Sequence, residues 1–211
     1  MFIPPSFAEN DRTTLESFIQ QNSFGTLVSL VNQLPFATHL PFLLDNECSE
    51  KGFLIGHMAK GNPQWQEIAN QTVLVIFTGP HTYISPSWYQ DQRTVPTWNY
   101  TVVHVYGPIE MIHEKVALLD IVQRSVRFYE QTMPQPWSFD STSVMVDRLL
   151  EQIVGFRISI EKLEGKFKLN QNHSTDRRQK VVQALKAQPD ENSQKIAHLM
   201  ANELSIQIPK D

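Results

Sequence analysis

From residue 24 to residue 112 the apolar positions recur with a period close to two. That period marks strands with one buried face. "FGTLVSL" (24–30) and "LPFATHLPFLLD" (34–45) read as two strands joined at the Asn32-Gln33 turn. Pro35 and Pro41 mark the second as an edge strand or a bulged one. "GFLIGHM" (52–58) and "TVLVIF" (72–77) read as two more, with a short helix over 62–70 between them. "TYISPSWY" (82–89) and "VPTWNYTVVHVYGPIEMI" (95–112) follow, flanking the loop "QDQRT", and the second alternates around Val103, Val105 and Gly107. "FRISIEKLEGKFKLN" (156–170) reads as a hairpin-like pair turning at Gly165, with Phe156, Ile158 and Ile160 on one face and Arg157, Ser159 and Glu161 on the other.

The period lengthens to that of a helix in four places. Residues 6–23 place Leu15, Phe18 and Ile19 on one stripe, with Thr13 and Glu16 as a capping box and Asp11 or Asn10 as rival caps. Residues 114–132 do the same with Leu118, Leu119, Ile121, Val122, Val126 and Tyr129, and "MPQPW" breaks that helix. A helix over 142–153 follows, and the segment after Asn172 reads as two polar helices broken at "QPD" (188–190). Connections between strands are mostly short, which argues antiparallel pairing. The expectation is a mainly β, α+β fold, a closed or nearly closed barrel with helices outside.

Composition adds limits. The chain has 211 residues, enough for a large core, and 41% hydrophobic residues, as globular proteins do. No apolar run approaches the roughly 18 residues of a membrane span. "MFIPPSFAENDR" has neither a basic start nor an apolar core segment, so no signal peptide is expected. The lone Cys48, read as a loop or edge residue, permits no intrachain disulfide. These features together predict a cytoplasmic protein. Lys and Arg number 18 against 22 Asp and Glu, a net charge of -4, so the basic footprint of a nucleic-acid binder is missing.

The candidate chemistry concentrates in two stretches. In "GHMAKGNPQW" (56–65), Gly61 offers positive φ, Asn62 an N-cap and Pro63 the first helical position. A helix start beside Lys60, with His57 and Met58 leaving the preceding strand, is a phosphate cradle in its simplest form. The alternative is a capped helix and a solvated lysine. The second stretch, 79–100, holds Tyr83, Trp88, Tyr89, Trp98 and Tyr100, which suit a planar ligand, a subunit interface or a plain barrel core. Arg93 is its one basic residue, too few for single-strand nucleic acid. His39, His57, His81 and His104 fall on strands or their ends, but no pair has helical metal-site spacing or a cysteine partner, so no metal is assigned. No nucleophile elbow, P-loop or dinucleotide fingerprint occurs. Glu67 and Asp91 are the only acids between 52 and 109, so any chemistry falls to a cofactor.

Six motifs in order then carry a resemblance: "MFIPPSF", "ATHLPFLLD" (37–45), "GHMAKGNPQW" (56–65), "GPHTYISPSWY" (79–89), "VPTWNY" (95–100) and "LEGKFKLNQN" (163–172). Over residues 1 to about 200 the chain resembles the PaiB family of transcriptional regulators, within the pyridoxamine-phosphate-oxidase-like FMN-binding split barrels. The resemblance implies an antiparallel six-stranded split barrel with peripheral helices over residues 1–172, and a C-terminal helical extension over 173–211. It implies a homodimer with FMN in a groove between subunits. The cofactor residues it implies are Thr38, His39, His57, Met58, Lys60, Asn62, Ser85, Trp88, Tyr89 and Trp98, followed by Asn99. The oxidases of the group grip the phosphate with an arginine and a Ser-Arg-Lys run. Here those positions read Thr38 and Lys60-Gly61-Asn62, which implies loosely held FMN, absent as purified or replaced by another ligand such as haem. Lys166 and Lys168 either close over the flavin or lie on a solvated hairpin.

The function implied is a flavin-binding negative regulator, with DNA as a partner. The alternatives are an FMN-dependent oxidoreductase and a haem-binding or haem-degrading relative. The tail helices are expected to pack rather than read DNA, because Lys180, Lys186 and Lys195 are countered by Asp176, Asp190 and Glu191.

Overall fold

The fold starts from a hairpin whose turn the sequence specifies. In the computed structural model, which describes residues 1–46, 51–69, 71–89 and 94–207, β2 (Phe24–Val31) and β3 (Leu34–Pro41) pair antiparallel from Phe24↔Pro41 to Val31↔Leu34. Asn32 (φ 51°) and Gln33 (φ 63°) make the two-residue turn, both in the left-handed region that this tight connection demands. Cys48 and the 90–93 part of the expected loop, Arg93 included, lie outside the described residues.

The chain divides into two units, each described by itself. The sheet unit comprises Glu16–Phe77 and His104–Leu163. Its strand order is β3-β2-β6-β7-β8-β5-β4, with β4 (Leu43–Asp45), β5 (Phe53–Ala59), β6 (Thr72–Ile84), β7 (Thr97–Ile112) and β8 (Ile153–Ser159). The pairs β2–β6, β4–β5, β5–β8 and β7–β8 are antiparallel. Leu27, Leu54, Val75, Phe77, Ile109 and Phe156 are fully buried, and Phe42 packs edge-on against Phe77 with centroids 5.5 Å apart. Each such side chain contributes about 1.5–3 kcal/mol by leaving water. Helices α2 (Gln64–Glu67), α3 (Lys115–Glu130) and α4 (Val144–Leu150) belong to this unit. α3 lies against β5 and β8 through Leu118 and Ile121, which approach Gly155 so closely that a Cβ there would sit 2.9 Å from Leu118. Of the expected α3 stripe, Leu118 and Ile121 are buried, and Tyr129 is exposed on one side with its hydroxyl 2.9 Å from Ser23 Oγ.

The tail unit comprises Met1–Leu15, Thr78–Val103 and Glu164–Asp211. A 3₁₀ turn (Pro5–Phe7) leads into β1 (Ala8–Glu9), which pairs antiparallel with β9 (Lys162–Lys168) at Ala8↔Lys166 and Glu9↔Gly165. β9 also pairs with β7. Helices α5 (Thr175–Lys186) and α6 (Glu191–Gln207) bury Val181, Leu185, Ile196 and Met200 against Ile84 and Tyr89. The packing role expected of these helices is thus what they have.

The class is the one expected, mainly β and antiparallel with peripheral helices. The described residues hold nine strands rather than six. Three local expectations change. Residues 72–84 form one strand, because Gly79-Pro80 does not interrupt the ladder. Residues 156–170 are not a hairpin: β8 and β9 both lie along β7, and Gly165 sits inside β9 opposite Glu9. The expected first helix is shorter, α1 (Arg12–Gln21), and Asp11 is its cap, accepting from Thr14 N at 2.7 Å. No helix among the described residues is long and apolar enough to cross a membrane.

Candidate functional site

The residues expected to hold a ligand fall into two groups, one per unit. In the sheet unit the chain leaves β5 at Ala59 and turns, with Asn62 N donating to Ala59 O at 3.0 Å. Asn62 then caps as its side chain should, Oδ1 accepting from Gln64 N at 3.0 Å, and Pro63 already has helical dihedrals (φ -68°, ψ -18°). The helix it starts, however, is a single turn, Gln64–Glu67, rather than the expected 62–70. One turn aligns too few peptide dipoles to act as an anion cradle. Gly61 has no positive φ, so the bend comes from the hydrogen-bonded turn at 59–62 instead.

Around that turn lies a closed polar network. Asn62 Nδ2 donates to Thr38 Oγ1 at 2.9 Å, and Thr38 Oγ1 donates to Gln64 Oε1 at 2.5 Å. Gln64, fully buried, donates through Nε2 to Ser29 Oγ at 2.8 Å. A buried amide so placed is held by its partners. Thr38 and Asn62 therefore come together. Lys60 stands apart: exposed, its Nζ donates to Glu151 O at 2.9 Å, at the C-cap of α4, where end carbonyls need donors. Among the described residues no carboxylate pairs with Lys60. Trp65 Nε1 donates to Lys60 O at 2.9 Å and its ring meets His113 edge-on at 5.7 Å.

The two strand faces separate the remaining members. His57 pairs with Gly155, so it lies on the face that carries α3. It is half-buried, and burial holds its imidazole below the usual pKa, in the neutral form. Met58 points the other way and is core, 2% exposed. His39 is exposed, its Nδ1 2.9 Å from Thr26 Oγ1. Among the described residues, no three His, Cys, Asp or Glu side chains gather as a metal would need.

In the tail unit Tyr89 is buried at the end of a 3₁₀ turn (Pro86–Tyr89). Asn170 Nδ2 donates to Tyr89 Oη at 2.6 Å, and the His173 ring stacks on Tyr89 at 5.1 Å. Burial raises the phenol pKa. Trp88 packs on the α5–α6 core, and Ser85 Oγ lies 2.7 Å from Ser87 Oγ, shaping the turn. Trp98 is 53% exposed, edge-on to Tyr83 at 6.0 Å. Asn99 is buried, with Nδ2 3.3 Å from Met200 Sδ. Lys168 Nζ donates to Trp98 O at 2.6 Å and to Thr97 Oγ1. Lys166 is buried and Lys168 half-buried, so the solvated alternative for these lysines does not hold.

Sequence reasoning missed Gln64, Asn170 and His173. Gln64 carried no signal, because a glutamine in a capped turn reads as surface. Asn170 and His173 had one: Lys166, Lys168 and Asn170 alternate on one strand face, and a run of amides and histidine follows it.

A family model described as "Putative FMN-binding domain" matches residues 1–162. The chain is 39% identical over 210 residues to "Protease synthase and sporulation protein PAI 2" of Bacillus subtilis, covering 99% of this chain and all of that one. Among solved structures, the flavocytochrome Anf3 from Azotobacter vinelandii aligns with a TM-score of 0.59 at 14% identity, covering 76% of this chain and 69% of that one. The FAD and haem binding protein from Mycobacterium smegmatis gives 0.59 at 13% identity, covering 81% and 78%. At such identities the two structures establish a shared fold.

Proposed function

Since the chain belongs to the PaiB-like FMN-binding family, we propose that it is a flavin-binding negative regulator of transcription, holding FMN in a groove between the subunits of a homodimer. The observation that carries this reading is the matched segment, residues 1–162, which contains all ten residues expected at the cofactor. The cofactor-binding domain is proposed to run to residue 172, with 173–211 as its extension.

The donor set fits a lightly held phosphate. Lys60 is an exposed ammonium with one carbonyl partner and no carboxylate, so it has donors to give an anion. Thr38 and Asn62 already bond each other and serve to fix the turn that carries Lys60. His57, kept neutral by burial, offers a hydrogen bond without adding charge, and His39 is exposed. Met58 acts from the core, as backing for the strand. Ser85, Trp88, Tyr89 and Trp98 are the cofactor residues proposed in the tail unit, from the family resemblance. Bound FMN would supply electron transfer; the chain supplies binding, orientation and exclusion of water. One cation where related oxidases use several predicts weak retention through purification.

DNA contact is proposed as a property of the dimer rather than of the tail helices. Two of their three lysines pair with acids of the same helix, Lys180 with Asp176 at 2.9 Å and Lys195 with Glu191 at 2.7 Å.

The test is the visible spectrum of the purified protein, followed by titration with FMN and with haem. Saturable FMN binding near one per chain, weakened about tenfold in Lys60→Ala, is the expected result. Saturable haem uptake with no FMN binding overturns it, and so does the absence of both.

A further inference from the structure

A cavity of about 550 Å³ lies within the tail unit, lined by Phe7, Thr94, Val95, Lys168, Asn170 and His173 among others. That volume is in the range small organic ligands fill. Its chemistry begins with the alternation of β9, which places Lys166 and Lys168 on one face. Lys166 Nζ donates to Phe2 O at 3.2 Å and lies 5.1 Å from the Tyr100 ring centroid. Lys168 Nζ, bonded to Trp98 O and Thr97 Oγ1, lies 5.9 Å from the Phe7 ring centroid. Neither lysine has a carboxylate partner among the described residues. Glu164 on the same strand is bonded by the N-terminal ammonium.

Carbonyls and ring faces orient an ammonium but leave its charge uncancelled, and buried charges in proteins are normally paired. Burial and the Lys166 charge push the Lys168 ammonium below the usual lysine pKa. His173, on the same wall, is held down by burial, by Arg177 and by Lys168. Lys168, with no carboxylate partner among the described residues, is the positive charge on this wall. Thr94 Oγ1 is buried there with no hydrogen-bond partner among the described residues, a hydroxyl free to donate. Asn170, at φ 63°, has its Nδ2 committed to Tyr89 and stiffens the wall.

We propose that this cavity binds the phosphate or carboxylate head of a small organic anion, with Lys168 as its charge partner, Thr94 as a hydroxyl donor, and Phe7 and Val95 against its apolar body. None of its lining residues is among the ten cofactor positions, and Lys168 is the one of them that the family resemblance also brings to the flavin. Its ligand chemistry belongs both to the phosphate of FMN and to a separate organic acid, and competition separates the two.

The probes are phenyl phosphate and benzoate, titrated into the full chain and followed by tryptophan fluorescence, with benzyl alcohol as the uncharged control. Saturable binding of at least one anion near one per chain is expected, with none of the alcohol. Lys168→Met should weaken it about tenfold or more, Lys168→Arg should retain it, and Lys60→Ala should leave it unchanged. Thr94→Val, a milder change, should weaken it severalfold and serves if Lys168→Met fails to fold. Absence of saturable binding by about 10 mM, or unchanged affinity in folded Lys168→Met and Thr94→Val, overturns the proposal. Displacement of the probe by FMN, with FMN affinity lost in Lys168→Met, identifies the head as the flavin phosphate. Probe binding without displacement identifies a separate acid. Probe binding by a chain that takes up no FMN supports this site and overturns only the cofactor assignment.

Discussion

Replacing Gln64 by leucine tests whether the polar network at the end of β5 is the framework of the candidate site. The amide accepts from Thr38 Oγ1 at 2.5 Å and donates to Ser29 Oγ at 2.8 Å, and it is fully buried. Two lost hydrogen bonds cost about 1 kcal/mol each, and one hydroxyl left without a partner adds about 1–2 kcal/mol. Leucine has nearly the same volume, so little cavity is created, and its extra apolar surface returns about 1 kcal/mol. The net expectation is a loss of about 2–3 kcal/mol. The assay is urea unfolding followed by tryptophan fluorescence, with Thr38→Val and the double variant completing a cycle. If the network is real, the double variant is destabilised by less than the sum of the singles, because the Thr38–Gln64 hydrogen bond that each single variant removes is lost only once. A single-variant change below about 0.5 kcal/mol, or strict additivity across the cycle, refutes the reasoning.

Four further outcomes follow from other places in the fold. Gly107→Ala should destabilise by about 3 kcal/mol or more in the same unfolding assay, because its Cβ would sit 1.6 Å from the Ser159 backbone oxygen and force β7 from β8. His57 titrates below its ordinary 6.5 in the folded chain, so the unfolded state takes up its proton first; stability present above that value should fall as pH drops below it, and His57→Gln should flatten the slope in pH-dependent melts. His173 is shifted the same way and should leave part of the slope in place. Tyr89→Phe should cost about 1–2 kcal/mol by orphaning the Asn170 amide, read from chemical denaturation. Anion binding in the tail unit needs the Lys168 ammonium, whose charged or titratable neighbours are Lys166 and His173, the latter also facing Arg177; probe affinity should decline as pH rises through the depressed lysine pKa, whereas Lys168→Arg should hold it further into alkali.

Local rules were legible wherever a residue type leaves the backbone one choice. The Asn32-Gln33 turn, the Asn62 cap, the Pro63 helix start and the two-helix tail were all read from short-range chemistry, and the structure has each of them. The ten cofactor positions came from family resemblance and not from spacing, because a ligand site assembled from several strands has no period.

Where each element ends and what it pairs with was decided elsewhere. Gly165 looks like a turn because glycine permits one, yet the space beside it is taken by Leu15 and Glu9, so it lies flat in β9. The Gly79-Pro80 pair looks like a break, yet β6 runs on through it. Lys166 and Lys168 look like a solvated face until strand pairing and the aromatic rings of Phe2, Phe7 and Tyr100 enclose them. The sequence by itself determined the class of fold, its turns and its caps, since those depend on neighbours a few residues apart. Only the tertiary structure decided which charges are buried without a carboxylate partner, because burial depends on segments from the start, middle and end of the chain meeting in one unit.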